Sequence, residues 1–171
     1  MVKDITNEEK GCAKINLALH VTGIQADGYH SLDSIVVFTD VFDRLFFKRS
    51  LKNVVTLTGE FSGSINVQEN SILQALKLFG NGLTDRFSIN LEKNLPIGAG
   101  LGGGSADAAA VIRFITNNSK HLMPSYEVLS KIGADIPACV LSVASRVGGI
   151  GEIVRPLDIS EINLWVVLVN P

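Results

Sequence analysis

The chain has 171 residues, 46% hydrophobic and 19% charged, and its 15 basic and 17 acidic side chains leave a net charge of −2. That length suits one substantial domain with a real core, and the near-neutral balance offers no basic stripe for nucleic acid and no polybasic segment for anionic lipid. The longest apolar run, Leu164 to Val169, falls far short of the roughly 18 residues that span a bilayer.

Met1 to Lys10 alternates charge without the apolar stretch of a secretory signal, so a cytoplasmic setting and a small-molecule partner are expected. Cys12 and Cys139 lie far apart with no Cys-x-x-Cys or Cys/His cluster. They predict neither a disulfide framework nor a zinc site, only buried apolar positions.

Gly11 to Gly23 alternates with period two. This predicts a strand whose Ile15, Leu17, Leu19 and Val21 face the core, while Lys14 and Asn16 share the other face. A turn at Gln25 to Gly28 leads to a second strand, Tyr29 to Thr39, and further strands are expected at Arg44 to Lys48, Val54 to Gly59 and Ser64 to Val67. The period then changes. Ile72, Leu73, Leu76 and Phe79 recur at helical spacing between a cap candidate, Asn70, and a stop, Gly80. Arg86 to Glu92 is an alternating strand that runs into a glycine-rich loop and an alanine-rich helix. A second helix is expected from Pro124 to Gly133, strands from about Ala138 with a turn at Gly148 to Gly151, and a last apolar strand from Asn163 to Val169.

The loop reads Pro96-Ile97-Gly98-Ala99-Gly100-Leu101-Gly102-Gly103-Gly104-Ser105-Ala106. Glycine permits positive φ and removes side chains, so backbone amides can converge on an anion. A helix starting near Ser105 adds its unpaired N–H groups and the positive end of its dipole, which makes the segment a phosphate cradle. The competing reading is a tight strand-to-helix connection without a ligand. Gly98-x-Gly100-x-x-Gly103 formally fits the dinucleotide fingerprint, but the acidic residue about 20 positions on is missing. A Walker A loop needs a Lys before Ser105, where Gly104 stands, and no His-Arg-Asp or Asp-Phe-Gly of the protein kinases occurs.

Three side chains outside the loop stand out. Asp135, between Gly133 and Pro137, sits on a connection and is either a catalytic carboxylate or the cap of the following segment. Lys14 lies on an otherwise apolar or small strand, as a paired internal ammonium or as an edge lysine reaching water. Asp107, in the first turn of the glycine-loop helix, is read as structural, since the helix dipole favours a carboxylate there whatever its chemistry.

The loop resembles the nucleotide loop of the small-molecule kinases grouped as galactokinase, homoserine kinase, mevalonate kinase and phosphomevalonate kinase, the GHMP kinases. Ala13-Lys-Ile-Asn-Leu17, Asp27-Gly-Tyr-His-Ser-Leu32 and Gly133-Ala-Asp-Ile-Pro137 are similar to the branch that phosphorylates a cytidine diphosphate-linked methylerythritol for isoprenoid precursors. The resemblance implies an α+β fold, the GHMP N-terminal domain (ribosomal protein S5 domain 2-like), with helices packed on a mixed sheet. It implies ATP and Mg²⁺ as cofactors, Lys14 and Asp135 as the catalytic pair, and residues 96–106 around the phosphates. Ser105 is then a candidate Mg²⁺ ligand, Asn16, Tyr29 and His30 take the substrate, and Asn70 and Lys93 lie on the adenine side. Residues 1–171 are expected to be the N-terminal nucleotide-binding and catalytic domain, the family's smaller C-terminal domain being absent. Part of the 46% hydrophobic content is then surface meant to be covered. Another alcohol kinase of the group, or a nucleotide- or partner-binding chain without catalysis, are the competing readings.

Overall fold

The computed structural model describes residues 7–26, 28–64, 71–80, 85–159, 161, 162 and 165–169. The strands are β1 (Asn7–Ile24), β2 (His30–Ser50), β3 (Val54–Thr58), β4 (Arg86–Glu92), β5 (Ser145–Gly149) and β6 (Ile153–Pro156). The helices are α1 (Ser71–Leu78), α2 (Gly103–Asn118), α3 (Tyr126–Ser130) and α4 (Ile136–Leu141). The expected mixed sheet is present: β3 and β4 run parallel around the crossover helix α1, and every other pair is antiparallel.

β2 organises the sheet. Its residues 30–47 pair with β1, and the same stretch pairs with β5 through Leu32–Val36 and with β4 from Arg44 onward. A strand has two edges, so β4 and β5 share the edge opposite β1. The helices cover one face, with α2 against β1, and α1 and α4 against α2. Leu45, Phe47, Ile89, Leu91, Ile72, Val111, Ile112 and Ile115 are buried between the layers. Phe114 stacks on Phe47 at 3.8 Å between ring centroids and meets Phe87 edge-on at 5.2 Å. Alanines at 106 and 108–110 keep α2 thin, so it lies directly on β1: a Cβ on Gly11 would stand 2.9 Å from Asp107 Oδ1.

Irregularities in the β1–β2 ladder revise several expectations. Cys12 pairs with Phe42 and Lys14 with Phe38, so Thr39–Val41 oppose Ala13 alone. This bulge is the gap that separates the two expected strands Tyr29–Thr39 and Arg44–Lys48, which are one strand kinked in the middle. A second shift follows, with Asn16 opposite Val36 and Ala18 opposite Ile35, so that Leu17 is the extra residue. Directly opposed residues share a face. Ile15 therefore goes with Val37, while Leu19 and Val21 go with Ser34 and Leu32, on the face that carries Asn16 and Val36. The single apolar core face expected for β1 does not form: Leu17, Leu19 and Val21 are 50%, 54% and 60% exposed, and Ala13 and Lys14 are buried instead.

The segment expected to resume strands at Ala138 is helix α4, with Pro137 in its first turn. A short apolar run has no period that separates a strand from a buried helix, and proline suits a helix start. The helix expected from Pro124 to Gly133 is the single turn α3, closed by Ile132 and Gly133 N–H groups donating to Leu129 O. Ser64 ends a 3-10 turn, and the rest of the strand expected at Ser64–Val67 lies outside the described residues. Residues 165–169 belong to no strand, and Trp165, Val167 and Val169 are 97%, 86% and 81% exposed. No described helix is long and apolar enough to cross a membrane.

Candidate active site

β1, the glycine loop and the start of α4 converge on one point. Lys14 Nζ lies 3.1 Å from Asp135 Oδ1, with the lysine side chain 6% exposed and the aspartate 42%. The same ammonium donates to Asn16 Oδ1 at 2.7 Å, as the period-two spacing requires, and Asn16 Nδ2 donates to Ser34 Oγ, also at 2.7 Å. Ser34 in turn donates to Ala18 O, across the Leu17 bulge. Asp135 occupies the N-cap position of α4 without a side-chain cap bond, so its carboxylate faces Lys14 instead of closing the helix. Lys14 is internal and paired, not an edge lysine reaching water.

The loop meets this pair at its last bend. Gly98, Gly100 and Gly102 have φ of 74°, 72° and 66°, values that favour glycine. A Cβ at Gly98 or Gly100 would meet nothing within 4 Å, so these bends border open space. At Gly102 it would come to 3.3 Å from Lys14 Cε and 3.5 Å from Asp135 Oδ2. The Lys14 backbone N–H donates to Leu101 O at 2.9 Å, fixing the loop crest to β1. Gly102 is also the N-cap of α2, so the helix's unpaired N–H groups open beside the ammonium and carboxylate. A strand-to-helix connection of glycines, a dipole end and a Lys–Asp pair can hold a polyanion next to a group that accepts a proton.

Ser105 is half-buried in the first turn of α2, its Oγ 3.5 Å from where a Cβ on Gly133 would lie, two residues before Asp135. Pro96 is half-buried, and Ile97 is 46% exposed. Tyr29, 59% exposed, and His30 stand at the start of β2. By alternation His30 is on the face of Leu32, Ser34 and Val36, about 13 Å along the strand from Ser34. Leu19, Val21 and Leu32 lie between the two ends on that face. The alternation in the sequence hides Leu19 and Val21, because only the bulge turns them this way. Asn70 lies outside the described residues.

Lys93 is not open to a ligand: it is 4% exposed and its ammonium is taken up by Asp43 and by Asp107 Oδ2, the latter at 3.0 Å. Asp107 Oδ1 has no hydrogen-bond partner, the one such buried atom among the described residues. Burial pushes the Asp107 carboxyl up to about 7, Asp43 pushes the same way, and the Lys93 ammonium pulls against both. Folded Asp107 thus keeps a proton that the unfolded chain releases near pH 4, so stability should fall as pH rises from about 4 to 7 and level off above. Asp107→Asn should flatten that slope, worth on the order of 2–4 kcal/mol, in urea titrations across this range in metal-free buffer. An unchanged slope would show Asp107 to be ionised throughout. Cys139, by contrast, is pushed up to about 12 by burial and stays a neutral thiol.

The family described as GHMP kinases N terminal domain matches residues 70–150. The chain is 41% identical over 160 residues to 4-diphosphocytidyl-2-C-methyl-D-erythritol kinase of Cereibacter sphaeroides, covering 93% of this chain and 56% of that protein. It is 43% identical over 172 residues to the enzyme of that name from Rhizobium johnstonii, covering 95% and 56%. A crystal structure of 4-(cytidine 5'-diphospho)-2C-methyl-D-erythritol kinase superposes with a TM-score of 0.71 at 32% identity, covering 88% of this chain and 55% of that one. The chain thus spans a little over half the length of these relatives. With the loop, the mixed sheet and these likenesses in agreement, the chain carries the N-terminal domain fold of the GHMP kinases.

Proposed function

We propose that the chain is the N-terminal nucleotide-binding and catalytic domain of an ATP-dependent kinase acting on the 2-hydroxyl of 4-diphosphocytidyl-2-C-methyl-D-erythritol, in the non-mevalonate route to isoprenoid precursors. The observation that carries this reading is the Lys14–Asp135 pair at 3.1 Å, set against Gly102 at the end of the glycine loop. The names of the relatives supply the acceptor, and their greater length supports a second domain that completes the cleft.

Phosphoryl transfer to an alcohol asks for positioning and for charge stabilisation more than for covalent chemistry. Residues 96–106 hold the ATP phosphates on backbone amides and the α2 N-terminus. Asn16 orients the acceptor hydroxyl, and Asp135, the more exposed partner of the pair, takes its proton. The alcohol oxygen forms a bond to the γ-phosphorus as the bond to the ADP oxygen breaks, and Lys14 stabilises the charge growing on the alcohol oxygen. Tyr29 and His30 hold the cytidine end of the acceptor, with Leu19, Val21 and Leu32 as an apolar floor between.

Mg²⁺ takes few protein ligands, keeping several waters and phosphate oxygens. No cluster of three acidic, His or Cys side chains occurs among the described residues, so the donor set that fits is the Ser105 hydroxyl together with bound phosphates. The ion would neutralise phosphate charge there. The second domain and the cytidine assignment stand or fall together in one assay: the full-length protein, ATP and the diphosphocytidyl acceptor, with mass detection of a singly phosphorylated product. Stoichiometric ADP and product are expected. ATP binding without binding of any cytidine nucleotide would assign a different acceptor alcohol.

A further inference from the structure

The glycine loop begins and ends at the same buried point. β4 stops at Glu92, Lys93 N–H still reaches β3 at Thr58 O, and the two backbone donors after it, Asn94 N–H and Leu95 N–H, have no strand to pair with. Both donate to Asp43 Oδ1, at 2.6 and 2.8 Å. Asp43 Oδ2 accepts from Lys93 Nζ, which also donates to Asp107 Oδ2 in the first turns of α2. Asp43 is fully buried, and the three side chains are at most 4% exposed. Asp43 therefore holds the loop entrance directly and the loop exit through one lysine. The exit sits close on the ammonium, since a Cβ on Gly103 would come to 3.0 Å from Lys93 Nζ. The Lys93 backbone is also fixed, with its N–H on Thr58 O at 2.7 Å and its carbonyl receiving Phe61 N–H at 3.1 Å.

Burying such a cluster gains little stability over apolar residues of the same volume. Only a carboxylate, however, receives two successive amide N–H groups on one oxygen and an ammonium on the other. We propose that Asp43 is the positioning residue of the nucleotide loop, and that the Asp43–Lys93–Asp107 triad fixes both ends of residues 96–102 so that their amides are preset for phosphate. This rests on the reading of the loop as an ATP site. It gives Lys93 and Asp107 a role in holding the loop, and no contact with nucleotide.

The test is the double variant Lys93→Met/Asp107→Asn. Above about pH 8, where Asp107 is ionised, it removes one buried cation and one buried anion together, so Asp43 keeps its two amide donors and the cluster keeps its net charge while the exit is unpinned. Measured by calorimetry on the full-length protein, ATP affinity should fall at least tenfold while affinity for CDP stays within twofold. Amide exchange should quicken in residues 98–104 and not in β4. Asp43→Asn, which keeps an oxygen for the amides and weakens the ammonium contact, serves if the double variant does not fold, with ATP affinity expected to drop at least fivefold. Parental ATP affinity and loop exchange in the folded variant would overturn the proposal and leave the ATP reading standing. A parent that binds no ATP would overturn both.

Discussion

Asp135→Asn should lower turnover of the full-length enzyme by about 10²–10⁴-fold, the range for removing a positioned general base, with ATP affinity within a few-fold of the parent. The amide keeps the size and one acceptor oxygen for Lys14 Nζ at 3.1 Å, so the glycine loop against Gly102 has no reason to move. What is lost is the capacity to take the hydroxyl proton. Removing Lys14 should cost turnover through the same transition state, so Lys14→Met and Asp135→Asn should be far from additive, the double variant being little slower than the worse single one. Steady-state kinetics on the three variants decides it. Near-normal turnover of Asp135→Asn would remove the base from the mechanism, and strict additivity would mean that the pair does not act as a unit.

The largest stability effect is expected at Phe114. It is 3% exposed and fills the junction of α2, β2 and β4, stacked on Phe47 and edge-on to Phe87. Phe114→Ala removes a ring from a site bounded by two other rigid rings and a helix that cannot sink further, because the alanines facing β1 already bring α2 into contact with Gly11. The cavity should persist and cost about 3–5 kcal/mol in chemical denaturation, within the range for buried Phe to Ala changes. Phe114→Leu, which restores most of the volume, should recover more than half of the loss. A loss below about 1 kcal/mol for the alanine variant would mean that the layers collapse around the gap.

Much of this was open to sequence reasoning where a local rule decides. Arg86–Glu92 forms strand β4 as its alternation requires, and the glycines before an alanine-rich stretch form a loop leading into a helix. The common face of Lys14 and Asn16 is likewise plain from their spacing. The failures sit where non-local pairing overrides local pattern. Leu19 and Val21 look like core until an extra residue at Leu17, visible only against β2, turns them over. β2 looks like two strands because its bulge resembles a break. Asp43 has no local signature at all. In Val41-Phe-Asp-Arg44 it is one acid in a strand, and nothing nearby reveals that Asn94, Leu95 and Lys93, some fifty positions on, will need it.

The pairing of β2 with β5 also sets an order of assembly. β1 and β2 form a hairpin of neighbours, and β3, α1 and β4 add to its far end through local connections. Asp33 and Arg146, which meet in a two-pronged ion pair beside this pairing, stand 113 positions apart in the chain. Closing a loop of that length is costly in chain entropy, and it waits on the synthesis of β5. During synthesis the cradle side can consolidate while Asp135 is still unmade, and the base reaches Lys14 only when α4 and β5 dock. The Lys14–Asp135 contact can thus form only once α4 is made, and an isotope label at Gly102, which adds no side chain, would register its formation on refolding.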